Sequence, residues 1–157
     1  MRLHAREGTW FAVPTLSEGY ALGLLARASR SGIHLGYFFG PRLATVPTSK
    51  AVSAGGFGIH DVVTIEIFGA PELNDGRWPT IGRDPSWDEH AWPLPAFGVV
   101  EPLRGIAFRR VYPNDDPSER PRQTVVSPVE QERLPRDRLC DALALRRVLE
   151  RKLLSLI

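Results

Sequence analysis

The pattern of apolar and polar positions that organises the chain lies near its start, as two apolar runs around a polar turn. Gly19–Gly40 reads GYALGLLARASRSGIHLGYFFG, with apolar runs Tyr20–Arg27 and Ile33–Phe39 on either side of the polar turn Ala28-Ser29-Arg30-Ser31-Gly32. Two strand-like runs around a short polar, glycine-containing turn predict a β-hairpin. With Ala28 facing Ser31, Tyr20/Phe39, Leu22/Tyr37, Leu24/Leu35 and Ala26/Ile33 become cross-strand pairs on one face. Each such pair stabilises a sheet by roughly 0.2–1 kcal/mol. The same register sets Gly23 opposite Gly36 on the other face, leaving room for an aromatic ring or a backbone.

Further strands follow from the same period of two. Thr9–Pro14 (TWFAVP) ends at a proline, which cannot donate to a ladder and so stops the strand, and Leu16–Gly19 turns into the hairpin. Asp61–Phe68 (DVVTIEIF) places Val63, Ile65 and Ile67 inward and Thr64 and Glu66 outward. Asn74-Asp75-Gly76 is a turn signal leading to a short strand at Trp78–Gly82, and Ile106–Tyr112 reads as the final strand. Residues 83–97 (RDPSWDEHAWPLPAF) follow neither period. A long irregular segment in a compact fold is a functional loop or a packed cover.

Beyond residue 112 the periodicity turns helical. Ser127-Pro128-Val129-Glu130 combines an N-cap serine, a first-turn proline and a glutamate three residues on, which starts a short helix that ends before Pro135. From about Asp137 to Leu156, Ala142, Leu145, Leu149, Leu153 and Leu156 form one apolar stripe, and Leu139, Leu143, Leu154 and Ile157 a second. The expected fold is mainly β (α+β): a twisted antiparallel sheet or small half-open barrel of five to seven short strands, with a C-terminal helix packed on it. We expect one domain over residues 1–157, with a β-rich body at 8–112 and a helical segment at 127–157. The length of 157 residues suffices for a core without staples.

Composition narrows the chemistry. No run is long enough to span a membrane and the N-terminal stretch lacks a signal-peptide core, so the expected location is cytoplasmic. A single cysteine, Cys140, excludes an internal disulfide and a cysteine-based zinc site. It reads as a small buried hydrophobe. The net charge of +2 comes from an arginine-rich stretch at 101–157, a solvated surface rather than a nucleic-acid footprint. No two histidines sit at a helical ligand spacing, and adjacent Asp88, Glu89 and His90 point apart on an extended chain. Asp115 and Asp116 have turn composition, and Gly55-Gly56-Phe57-Gly58 lacks the lysine and helix of a phosphate loop. No catalytic residue, metal site or cofactor is expected.

What stands out is three tryptophans, Trp78, Trp87 and Trp92, among Asp84, Asp88, Glu89 and His90. Aromatic anchors ringed by charge are the composition of binding hot spots, so Asp84, Trp87, Asp88, Glu89, His90 and Trp92 are the candidate partner-binding residues. A purely structural role is the competing reading, with the rings covering the open side of the sheet over the Gly23/Gly36 gap.

The GTWFAVP opening (Gly8–Pro14), the GYALG strand (Gly19–Gly23), LGYFFGPR (Leu35–Arg42), IFG (Ile67–Gly69) and the WPTIGR…W…WPLPAF run (Trp78–Phe97) together resemble the immunity protein 26 family of bacterial polymorphic toxin systems. The resemblance covers residues 8–100. It implies a non-enzymatic protein that protects its producer by binding a co-encoded toxin domain, and it carries over no partner-binding residue. Two other classes stay open: a carbohydrate- or small-ligand-binding β domain using exposed tryptophans, and a small enzyme using Asp88, Glu89 and His90.

Overall fold

The computed structural model describes residues 5–154. Six strands form the main sheet: β1 (Thr9–Pro14), β2 (Tyr20–Ala28), β3 (His34–Leu43), β4 (Val62–Phe68), β5 (Thr80–Arg83) and, late in the chain, the two-residue β9 (Leu139–Cys140). Their order is β5-β1-β2-β3-β4-β9, antiparallel except for the parallel β4–β9 pair. A second sheet of three strands, β6 (Phe97–Val100), β7 (Ala107–Val111) and β8 (Arg122–Val125), is ordered β6-β7-β8. Short helices α1 (Ser49–Gly55), α2 (Pro71–Asn74) and α3 (Pro128–Glu132) decorate the connections, and α4 (Ala142–Leu154) closes the chain. The mainly β class with a C-terminal helix on the sheet is as expected, with nine strands among the described residues. No helix there is long and apolar enough to cross a membrane.

The hairpin β2–β3 is central, but its register differs from expectation. Ser29 closes the turn on Ile33 rather than Ala28 on Ser31: its N–H donates to the Ile33 carbonyl at 3.2 Å, and its hydroxyl accepts from the Ile33 N–H at 3.1 Å. Gly32 supplies the positive φ of 84° that this wider turn needs. A bulge between Leu25 and Arg27 follows, and the ladder settles at Leu22↔Phe39 and Leu24↔Tyr37, two residues from the expected pairing. Because a shift of two preserves the side-chain period, each residue keeps its expected face while its partner changes. Gly23 therefore faces Phe38, and Gly36 faces Leu25.

The main sheet buries both faces. One core holds Phe11, Phe38, Phe68 and Trp78 under the α4 residues Leu145, Val148, Leu149 and Leu153. The space over Gly23 and Gly36 belongs to this core, and phenylalanines fill it rather than tryptophans. A Cβ at Gly23 would lie 2.6 Å from the Phe11 ring, and one at Gly36 2.7 Å from Phe38. The opposite core holds Trp10, Leu24, Tyr37, Phe39, Trp92 and Phe97, with Tyr112, just after β7, against it.

Four sequence expectations change here. Helix α4 begins at Ala142, not Asp137, because Leu139–Cys140 pairs with β4 and Asp141 caps the helix by accepting the Ala144 N–H at 2.8 Å. Glu66 is buried rather than outward, since that same segment covers it and Arg138 meets its carboxylate at 2.7 Å. Ile106–Tyr112 becomes β7, the middle strand of the second sheet rather than the last strand. In the second leucine stripe Leu139 and Leu143 are exposed, and the Leu154 side chain and Ile157 lie outside the described residues, as does Leu156 of the first stripe.

Candidate partner-binding surface

The irregular segment after β5 is fixed at every few residues by local polar bonds. Asp84 donates its N–H to the Gly8 carbonyl at 2.8 Å, while its carboxylate accepts from the Ser86 N–H at 2.9 Å. This aspartate turn delivers the Trp87 ring onto Gly8, where a Cβ would come within 2.7 Å of the indole. Trp87 is half-buried, joining the edge of the Trp92 core. Asp88 then caps a single 3-10 turn, Glu89–Ala91, by accepting the His90 N–H at 3.0 Å. Asp88 and Glu89 are exposed, and the His90 side chain is 88% exposed with its imidazole 3.8 Å from the Glu89 carboxylate.

Trp92 behaves differently from its neighbours. It is buried, edge-on to Tyr37 with ring centroids 5.2 Å apart and to Phe39 at 5.9 Å. Its ring is part of the scaffold and unavailable at the surface, because the apolar rings of β3 offer it more burial than solvent does. Trp78 is buried on the other side of the sheet, 6.4 Å from Phe68. The three tryptophans thus divide between two cores, and only Trp87 reaches the surface with the acidic residues.

Arg27 holds the loop to the sheet, a role that composition and periodicity do not reveal. The bulge in β2 turns this arginine into a buried position, where its Nη1 donates to the carbonyls of Ala26 (2.6 Å) and Trp92 (3.1 Å). Its Nη2 donates to the Glu89 carbonyl at 3.3 Å, and its Nε to the Asp115 carboxylate at 2.8 Å. One guanidinium therefore ties β2, both ends of the Glu89–Trp92 turn and the Asp115 turn together. A buried charge needs this density of partners. The available signal was an arginine inside the otherwise apolar run YALGLLARA. Tyr37 lies in the same nest and donates its hydroxyl to the Pro93 carbonyl. Burial pushes its phenol up to about 12, against the opposing pull of Arg27, so it stays neutral as a donor.

The Asp88 carboxylate faces the His90 backbone and not its ring, so the three consecutive residues form no relay. Asp116 caps Ser118 through its N–H (2.9 Å) and hydroxyl (2.6 Å), which is turn chemistry. Cys140 is buried, and burial raises its thiol above the usual range, the opposite of an activated nucleophile. No cluster of three metal-ligating side chains occurs among the described residues.

The model of the family described as Immunity protein 26 matches residues 6–107, well over half of the chain. The chain belongs to the immunity protein 26 family. The match spans β1 to the start of β7, so it contains Arg27, Trp87, Asp88, Glu89 and His90, whereas Asp115 and α4 lie beyond it. No curated protein and no solved structure matches the chain. Membership of the immunity protein 26 family points to a protective role, and the surface above is what this chain offers for it.

Proposed function

We propose that this protein neutralises a co-encoded toxin by stoichiometric, non-covalent binding, using the face formed by Asp84, Trp87, Asp88, Glu89 and His90. The observation that carries this reading is the Arg27 anchor. A loop whose backbone carbonyls are bonded to a buried guanidinium presents its exposed acids in one fixed arrangement, so little ordering entropy is lost on association. Negative charge at Asp88 and Glu89 suits a basic cleft, such as that of a nucleic-acid-directed toxin, and would speed encounter and fix register. Burial of Trp78 and Trp92 leaves one partly accessible indole, which argues against a sugar-stacking platform.

The test is co-expression with the product of the neighbouring reading frame. A 1:1 complex on size exclusion, with toxin activity suppressed in proportion to the protein added, is the expected result. Activity that persists at a molar excess of folded protein would overturn the reading.

A further inference from the structure

Among the described residues the outer edge of β4 is covered only at one end. The segment leading into α4 pairs with β4 at Ile67↔Leu139 and Phe68↔Cys140, and Gly69 donates its N–H to the Cys140 carbonyl at 2.9 Å. Before that it runs along the other sheet, where Gly98 donates to Pro135 (2.8 Å) and accepts from Asp137 (2.8 Å). Between these two attachments the chain leaves β4 and opens a groove of about 820 Å³, with Ile65 on one side and Val99 and Val100 on the other. By the alternation of strand peptides, Ile65 turns its N–H and C=O the same way as Gly69, into this groove.

We propose that this groove takes an extended, acidic segment of a partner protein, which adds as a strand to β4 at Ile65. An unpaired strand edge is satisfied by one kind of occupant, another extended backbone. Charge selects its composition. Of the groove's three carboxylates, Glu66 is closed by Arg138 at 2.7 Å and Asp137 by Arg110 at 2.7 Å and Tyr112, which leaves Glu132 as the one exposed acid against two exposed arginines. Arg133 and Arg136 are exposed, with no carboxylate within ion-pairing distance among the described residues. Beside these arginines the groove is lined by Val99 and Val100 of β6. An inserted strand alternating acidic and apolar residues meets both. This surface is separate from the Asp88 face and does not depend on its role.

The probe is a fluorescein-labelled octapeptide of alternating valine and glutamate, followed by anisotropy and by amide hydrogen exchange of the full chain. The expected result is saturable binding that protects the Ile65 amide, which exchanges faster in the free protein than that of Glu66. Arg133→Glu with Arg136→Glu should weaken binding about tenfold or more at low salt with an unchanged melting temperature, since both side chains are exposed. A peptide N-methylated at alternate residues should not bind. The proposal is overturned by any of four outcomes: no binding, equal binding of the N-methylated peptide, equal binding of a valine–lysine peptide, or protection of Ile65 by self-association in sedimentation, which would assign the edge to a second copy.

Discussion

Arg27 shows how one side chain converts a tight scaffold into a presented surface. Its removal leaves the carbonyls of Ala26, Trp92 and Glu89 without their donor, two of them in the interior. Arg27→Met should therefore cost about 2–4 kcal/mol in urea denaturation, since unsatisfied buried groups carry most of that penalty. Asp115→Asn should cost less than about 1 kcal/mol, because that carboxylate is 52% exposed and solvent screens its pairing. Amide exchange across residues 84–92 should rise in the first variant and stay near its original rate in the second. Gly23 is a second position where a single atom decides. Gly23→Ala would drive a Cβ into Phe11 and Phe38, both held in the core under α4, and should destabilise by about 1–3 kcal/mol in the same assay.

Among the elements, α4 closes one core through Leu145, Val148, Leu149 and Leu153. Leu149→Ala should lower stability by about 2–5 kcal/mol in thermal melts, as for other enclosed leucines. An unchanged melting temperature would instead mark that residue as an interface position. The helix is also pinned at its polar edge. Glu150 accepts from the Ser17 hydroxyl at 2.6 Å and the Leu16 N–H at 3.2 Å, with Arg42 at 3.1 Å. The Ser17 hydroxyl, with Arg42 assisting, holds the Glu150 carboxyl below the usual carboxylate range. A pKa lowered by folding gives stability that is present above the unfolded value and lost as pH falls through the folded one. The melting-temperature gap between the parent and Glu150→Gln should thus be widest near about pH 6 and close below about pH 4.

Which elements were legible in the sequence follows from how local their causes are. Thr9–Pro14, the Ser127-capped helix and the buried leucines of α4 depend on period and caps within a few residues, and all three stand where the pattern put them. The hairpin's faces were legible for the same reason, but its register turned on Ser29 closing the turn on Ile33 through both its backbone and its hydroxyl. Strand β9 had no local signal. Two residues become a strand only because β4 offers an edge, and that contact spans more than 70 positions of sequence. For the candidate surface, composition identified the acidic residues and Trp87. It could not separate Trp87 from Trp92, since the burial of each ring is decided by distant partners, Gly8 for Trp87 and the β3 rings for Trp92, nor reveal Arg27 as the anchor.

At the scale of the whole molecule, two faces of one sheet are buried under different covers, and a loop over the second cover carries the exposed acids. The family assignment points to the protective role, and the recognition face proposed at Asp84–His90 rests on the Arg27 anchor. The most direct measurement is the toxin association rate by stopped flow, read alongside melting temperature for Asp88→Lys with Glu89→Lys and for Trp87→Ala. The account expects the charge reversals to slow association at low salt without moving the melting temperature, because both side chains are exposed. It expects Trp87→Ala to act on dissociation, losing about 2 kcal/mol or more of binding, with a smaller effect on stability from its half-buried ring. Folded variants that associate and dissociate at the parent's rates would contradict it and move the interface elsewhere.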